Sequence, residues 1–180
     1  MLGAIVGDIV GSPYEFDENR EIAHSKVFPL ISEDSRFTDD TVMTLAIADA
    51  VMRVMSKRGD PVTLEDFRRQ VIILMRNFAA KYPSAGYGAR FMYWLASPHP
   101  QPYNSFGNGS AMRVSPVAWA FDDLETVERF AEISAEVSHN HPEGIKGAQA
   151  TASAIFMART GRSKQEIKDY ITESYGYDLT

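Results

Sequence analysis

The chain has 180 residues, the size of one ordinary domain, and can bury a hydrophobic core without disulfides or metals. Its 18 Lys and Arg residues against 24 Asp and Glu residues give a net charge of −6. This charge argues against nucleic-acid partners, because sequence-independent binding needs a basic face. The absence of cysteine excludes disulfides, thiolate metal sites and cysteine nucleophiles.

The N-terminus shows neither a signal peptide nor a membrane helix. It lacks a basic region, and Asp8 interrupts its apolar run. No stretch of the sequence reaches the roughly 18 apolar residues of a membrane helix. Together with the cysteine-free composition, these features predict a cytoplasmic protein without membrane contact.

The first predicted element is a helix at the N-terminus. Apolar residues recur there at steps of three and four, namely Leu2, Ile5, Val6, Ile9 and Val10. Gly3, Gly7 and Gly11 share one line of this helix. Since glycine weakens helices, we expect that line to allow close approach of a neighbouring element.

Seven further helices follow, and most have a recognisable start. The predicted starts are Thr38-Asp39-Asp40, Thr63 with Asp66, the segment before Phe91, Ser110, Asp122 or Asp123, Pro142, and Ser163 with Glu166. The helix from Ser110 is predicted to run to about Phe121 with a kink at Pro116. The last two helices stop near Gly161 and Gly176.

The sequence therefore predicts an all-α fold of about eight helices in one compact domain over residues 1–180. It shows no alternating strand pattern and no internal repeat. Residues 16–37 form the longest irregular stretch, and loops of that length are usually functional or mobile.

The first candidate cluster comprises Asp8, Ser12 and Glu15. Their spacing of four and three residues places them on one face of a helix. A carboxylate beside an apolar, glycine-rich helix can bind a metal or polarise water. The structural alternative is a carboxylate hydrogen-bonded to a neighbouring loop.

The second cluster is Thr38-Asp39-Asp40-Thr41 at a helix start. Thr and Asp are favoured helix caps, so capping alone explains part of this pattern. Two adjacent aspartates exceed what a cap requires. A hydroxyl and two carboxylates form an oxygen donor set that suits Mg²⁺, Mn²⁺ or Ca²⁺.

The third and fourth clusters lie further along the chain. Gly107-Asn108-Gly109-Ser110-Ala111-Met112-Arg113 can turn backbone N–H groups toward an anion, although such a stretch is more often a plain turn. Arg113 adds charge there or lies on the surface. His139-Asn140-His141-Pro142 suits a nucleotide contact or a helix cap. A zinc site is disfavoured because the sequence has no cysteine and the other two histidines are distant.

In this order, the four clusters resemble the ADP-ribosylglycohydrolase family, which includes the dinitrogenase-reductase-activating glycohydrolases. The matching stretches are Gly7-Asp8-Ile9-Val10-Gly11-Ser12-Pro13-Tyr14-Glu15, Phe37-Thr38-Asp39-Asp40-Thr41, Gly107-Asn108-Gly109-Ser110-Ala111-Met112-Arg113 with Pro116, and Ser138-His139-Asn140-His141-Pro142-Glu143. The likeness covers essentially the whole chain.

The resemblance implies an all-α hydrolase that cleaves the bond at C1″ of ADP-ribose, with two Mg²⁺ or Mn²⁺ ions in its cleft. Its substrate is an ADP-ribosylated protein or a small ADP-ribosyl conjugate. On the family pattern, Thr38, Asp39 and Asp40 ligate metal, and Asp39 also belongs to the catalytic set. Glu15 is a ligand or an acid/base. Substrate binding falls to Gly107, Asn108, Gly109, Ser110, Met112, His139 and His141.

One part of the family pattern has no counterpart in the sequence. Family members commonly carry a second acidic metal motif of the Asp-x-Asp-Thr kind near their C-terminus, and no such motif appears before Thr180. We therefore expect a fold that lacks the usual C-terminal part, the loss of one metal site, and an apolar surface left uncovered at the C-terminal end and available for self-association. The alternatives to an active hydrolase are a non-catalytic ADP-ribose-binding module and an inactive shortened remnant.

Overall fold

The computed structural model describes residues 1–15, 30–56 and 63–179, and every regular element in these ranges is helical. This confirms the all-α prediction. The helices are α1 (Leu2–Gly11), α2 (Asp39–Met55), α3 (Leu64–Lys81), α4 (Ala89–Ala96), α5 (Gly109–Met112), α6 (Val117–Ala120), α7 (Leu124–Glu136), α8 (Pro142–Arg159) and α9 (Lys164–Tyr175). A short 3₁₀ helix, Ser12–Tyr14, follows α1. None of these helices combines the length and apolarity needed to cross a membrane.

Side-chain caps fix five of the helix starts. They are Thr38 for α2, Thr63 for α3, Asp123 for α7, His141 for α8 and Ser163 for α9. Ser163 and Glu166 form the predicted capping box, and Gly176 ends α9 with a φ of 70°. Each cap satisfies a backbone N–H that has no partner within its own helix. These boundaries could therefore be read from the local sequence.

The core lies between two helix pairs, in which α2 packs on α3 and α7 packs on α8. Met43 and Ile47 of α2 and Met75 of α3 are fully buried. The rings of Phe67 and Phe130 lie 5.0 Å apart and join α3 to α7. Burial of these large apolar side chains is the main source of stability.

The first helix lies at the surface of the described structure, contrary to its glycine pattern. It has no buried residue. A Cβ atom built on Gly3, Gly7 or Gly11 would meet no atom within 4 Å. The prediction that a neighbouring element approaches this glycine line is therefore wrong for the described residues.

An apolar groove of about 700 Å³ runs between α1, α2 and α6. We call it the apolar groove; its lining includes Met1, Leu2, Met52, Met55 and Trp119. All five side chains are more than a third exposed. This exposed apolar surface lies beside the N-terminal helix, whereas the sequence predicts one at the C-terminal end.

The predicted single helix from Ser110 to Phe121 is wrong, because residues 113–116 separate α5 from α6. Pro116 has no N–H with which to bond the carbonyl of Met112. The hydroxyl of Thr44 donates to that carbonyl instead, at 3.3 Å. The proline therefore ends the helix rather than kinking it.

The predicted irregular stretch at 16–37 is described only in part. Residues 16–29 lie outside the described residues, and residues 30–37 form neither helix nor strand. This segment leads directly into the cap of α2.

Candidate functional site

The Asp8 carboxylate joins α1 to the start of α2. One of its oxygens accepts hydrogen bonds from the backbone N–H groups of Thr38 and Thr41, at 2.8 and 3.1 Å. The hydroxyls of the same two threonines also donate to this carboxylate, at 2.6 and 2.5 Å. Asp8 therefore acts as the carboxylate hydrogen-bonded to a neighbouring segment, the second of the two interpretations that the sequence allowed. Its bonds fix the position of the helix start that carries Asp39 and Asp40.

Asp39, Asp40 and Glu15 form an acidic cluster around this junction. Burial, together with the charges of Asp40, Glu15 and Asp8, raises the pKa of Asp39 to about 7. The pKa of Asp40 is also raised, first by burial and then by Asp8 and Glu15. Carboxylates that repel one another in this way favour a bound proton or a bound cation.

The donor atoms of the acidic cluster suit a hard cation. The Thr38 hydroxyl donates a hydrogen bond to Asp8, so its oxygen lone pairs remain available as acceptors. One of them accepts from the N–H of Asp40 at 3.4 Å. Mg²⁺ is commonly held by one or two carboxylates and keeps water or substrate oxygens as its other ligands. Among the described residues, no three His, Cys, Asp or Glu side chains lie close enough together to hold a metal ion. The described residues alone therefore do not complete a metal site, and a cation here would need further oxygen ligands from water or substrate.

A cavity of about 370 Å³ opens beside the acidic cluster, and we call it the central cavity. Its lining includes Asp39, Gly88, Arg90, Tyr103, Ser105, Gly107, Asn108, Gly109, Met112, Arg113 and His139. Asn108 and Met112 also line an adjoining hollow with Asp8, Glu15 and Asp40. The fold thus brings together residues from all four clusters. The cavity volume is typical of small-molecule sites.

Two predicted substrate-binding residues lie away from the central cavity. Ser110 is buried, and its hydroxyl donates to the carbonyl of Gly144 at 2.7 Å. His141 caps α8 through Nδ1, which accepts from the N–H of Glu143 at 3.1 Å. The His141 ring lies 5.6 Å from that of the exposed Phe106. In the described structure, Ser110 and His141 therefore hold the loop and the helix start that border the cavity.

Arg113 lies beneath the central cavity with almost no exposure to solvent, so its surface interpretation is wrong. Its Nη2 donates to the carbonyl of Ser134 at 2.6 Å and to the hydroxyl of Ser138 at 2.9 Å. No carboxylate forms an ion pair with it among the described residues. Burial lowers its pKa to about 10, so the guanidinium still carries its charge at neutral pH.

His139 faces the central cavity as a neutral imidazole. Burial, together with the charges of Arg113 and Arg90, lowers its pKa to about 3. Its Nδ1 lies 2.8 Å from the Ser138 hydroxyl, and its ring lies 5.7 Å from that of Tyr103. Sequence reasoning placed His139 near the ligand but missed Arg90, Tyr103 and Ser138.

The fold and this cavity define a helical protein with an acidic cluster and a glycine-rich loop at one site. A sequence model of the ADP-ribosylglycohydrolase family matches residues 1–177, and the chain belongs to this family. It is 29% identical to ADP-ribosylhydrolase ARH3 of Mus musculus and 28% identical to that of Homo sapiens. Each alignment covers 92% of this chain and 50% of the relative.

The family likeness extends to the archaea. An uncharacterized protein of Archaeoglobus fulgidus is 30% identical over 172 residues, which cover 86% of this chain and 53% of that protein. The chain thus spans about half the length of the curated relatives it matches.

Proposed function

We propose that the chain is a metal-dependent hydrolase that cleaves the glycosidic bond at C1″ of ADP-ribose in a modified protein or a small ADP-ribosyl conjugate. Family membership supports the reaction class. The observation that carries the proposal is the lining of the central cavity, where the acidic Asp39 and the buried guanidinium of Arg113 meet the same space. ADP-ribose has hydroxyl-rich sugars for a cation to bind and a diphosphate that a positive field attracts. The proposed location is the cytoplasm.

At the acidic end, Thr38, Asp39 and Asp40 would hold Mg²⁺ or Mn²⁺. Bound there, such a cation would orient the ribose hydroxyls and lower the pKa of a bound water. Glu15 is exposed next to this cluster, so its carboxylate is placed to move a proton or to add an oxygen ligand. Asp8, with its hydrogen bonds to both threonines, keeps these groups in place.

At the other end, the loop of Gly107, Asn108 and Gly109 would take the diphosphate. Glycines expose backbone N–H groups without a side chain in the way, which suits close approach of an anion. Arg113 lies beneath this loop and supplies positive charge that no described carboxylate neutralises. His139 lines the same end of the cavity.

The second candidate function is a non-catalytic ADP-ribose-binding module. The observation that favours it is the absence, among the described residues, of a set of three metal-binding side chains. Such a module would keep the loop and the buried arginine while lacking efficient turnover.

Calorimetry and a hydrolysis assay separate the candidates. We expect ADP-ribose to bind, and Mg²⁺ or Mn²⁺ to strengthen its binding. Release of ADP-ribose from serine- or arginine-modified peptides would identify the hydrolase, and binding without release would identify the module. A protein that binds no ADP-ribose with or without metal would refute both.

The metal ligands are tested in the same experiment by Asp39→Ala and Asp40→Ala. We expect each variant to weaken Mn²⁺ binding by about tenfold or more while the helical circular dichroism is largely kept. Asp49→Ala is the matched control, since Asp49 lies further along α2 and pairs with Arg53 at the surface. Equal Mn²⁺ affinity in all three variants and the wild type would reject the assignment.

A further inference from the structure

A buried line of hydrogen bonds leads from Arg113 to the central cavity. The two Nη2 protons of Arg113 go to the carbonyl of Ser134 and to the Oγ of Ser138. Ser138 Oγ in turn lies 2.8 Å from Nδ1 of His139. Arg113, Ser134 and Ser138 are almost fully buried, so water does not compete for these bonds.

The direction of the Ser138–His139 bond follows from counting protons. Arg113 has no acceptor atom, so Ser138 Oγ must accept from it. The Ser138 hydroxyl proton then needs an acceptor, and Nδ1 of His139 is the one that lies within reach among the described residues. If Nδ1 carried a proton instead, the buried serine hydroxyl would be left without an acceptor, which is costly.

A hydrogen bond accepted at Nδ1 fixes the state of the other ring nitrogen. In a neutral imidazole one nitrogen accepts and the other donates, so Nε2 of His139 carries the N–H. This nitrogen faces the glycine loop, because a Cβ built on Gly109 would lie 2.8 Å from it and one on Gly107 would lie 4.0 Å from it. No hydrogen-bond partner of Nε2 is found in the described part of the chain.

We infer that Arg113 and Ser138 are positioning residues that lock His139 in its Nε2–H tautomer, so that it presents one uncharged donor to an acceptor oxygen of the ligand beside the glycine loop. The chemical class of that ligand, a sugar diphosphate, rests on the proposed function. The tautomer itself does not, because it follows from contacts within the protein.

The arrangement separates charge from hydrogen bonding. Arg113 provides a positive field from below the cavity, while its two Nη2 protons go to Ser134 and Ser138 and its buried Nε has no hydrogen-bond partner among the described residues. His139, by contrast, is uncharged and offers a hydrogen-bond donor, Nε2–H, in a fixed orientation. Arg113 and Arg90 both oppose protonation of the ring, and the Tyr103 ring lies beside it at an interplanar angle of 58°. A fixed neutral donor binds a ligand oxygen without first losing a proton or changing tautomer.

The tautomer is measured directly by long-range ¹H–¹⁵N NMR of the ligand-free full chain. The sequence contains four histidines, so His139 is assigned by comparison with His139→Gln. In the wild type at neutral pH we expect an unprotonated Nδ1 and a protonated Nε2. A protonated Nδ1, or rapid averaging of the two nitrogens, would overturn the inference while leaving the proposed function intact.

Ser138→Ala tests the positioning role. Without the hydroxyl, we expect the two nitrogen shifts of His139 to move toward averaging and ADP-ribose to bind about tenfold more weakly. Ser134→Ala is the matched control, because this serine is equally buried in the same region but offers Arg113 its carbonyl and not its hydroxyl. It should leave both the shifts and the affinity unchanged.

The remaining outcomes are also decisive. An unchanged His139 spectrum in Ser138→Ala would show that the hydroxyl does not set the tautomer. Should Ser138→Ala fail to fold, the wild-type spectrum alone decides the tautomer. A wild-type protein with the expected tautomer and no affinity for ADP-ribose would refute the proposed function and not the positioning of His139.

Discussion

Gly144 and Gly147 lie one turn apart in α8, and the structure predicts opposite effects for their substitution by alanine. A Cβ on Gly144 would lie 2.6 Å from the carbonyl oxygen of Ser105 and 3.0 Å from that of His139. Both atoms belong to the backbone, so relief of the clash must move the loop or the helix. A Cβ on Gly147 would meet the Tyr177 hydroxyl at 3.8 Å, which is ordinary contact.

The magnitudes follow from two terms. Replacing glycine by alanine inside a helix is favourable by about 1 kcal/mol, and this gain applies in full to Gly147, whereas Gly144 lies in the first turn of α8. Overpacking of a buried site costs about 1–3 kcal/mol, and it applies to position 144 alone. We therefore expect Gly147→Ala to be stabilising by up to about 1 kcal/mol, with Gly144→Ala lower than it by about 1–3 kcal/mol.

Urea unfolding followed by circular dichroism measures both free energies of unfolding. ADP-ribose affinity is a second readout, since Gly144 contacts the segment that carries Ser105 and the backbone of His139. We expect weaker binding in Gly144→Ala alone. Equal stability and equal affinity of the two variants would show that α8 does not approach the loop as closely as described.

Three further predictions concern the rest of the molecule. Asp8→Ala removes four hydrogen bonds, so we expect the free energy of unfolding to fall by about 3 kcal/mol. Amide hydrogen exchange should become faster in α1 than in the wild type, and by more than in α7. Unchanged exchange in α1 would contradict this. The pKa of His139 falls from 6.5 to about 3 on folding, so its contribution to stability is complete above pH 6.5 and is lost as the pH falls toward 3. Between pH 7 and pH 5 we therefore expect the free energy of unfolding, measured with urea, to fall by about 2 kcal/mol more in the wild type than in His139→Gln. An equal decrease in the two proteins would refute this. The apolar groove predicts concentration-dependent self-association in analytical ultracentrifugation, which Trp119→Lys should weaken; a wild type that stays monomeric at high concentration would count against it.

Helix boundaries were largely predictable because their signals are local. The caps Thr63, Asp123 and Ser163 act on backbone groups three residues away, so the local sequence contains both partners. The break after Met112 was harder to place. Pro116 removes the helical partner of the Met112 carbonyl, and the hydroxyl that replaces it belongs to Thr44, in a distant part of the chain.

Long-range partners explain what the sequence could not show at the site. The spacing of Asp8 predicted its face of α1, but its role follows from Thr38 and Thr41, which come 30 and 33 residues later. The glycine line of α1 was misread because spacing does not show what lies opposite a helix face. The burial of Arg113 had one local sign, its place between the apolar Met112 and Val114, and its bond to Ser138 had none.

The hydrogen bonds of Asp8 also mean that the residues at positions 8, 38 and 41 cannot be substituted independently of one another. An oxygen acceptor at position 8 is useful only while hydroxyl groups stand at positions 38 and 41, and each hydroxyl loses its acceptor if position 8 becomes apolar. A library that randomises the three codons together should therefore yield folded clones in which aspartate accompanies threonine or serine, with few clones that carry only part of the set.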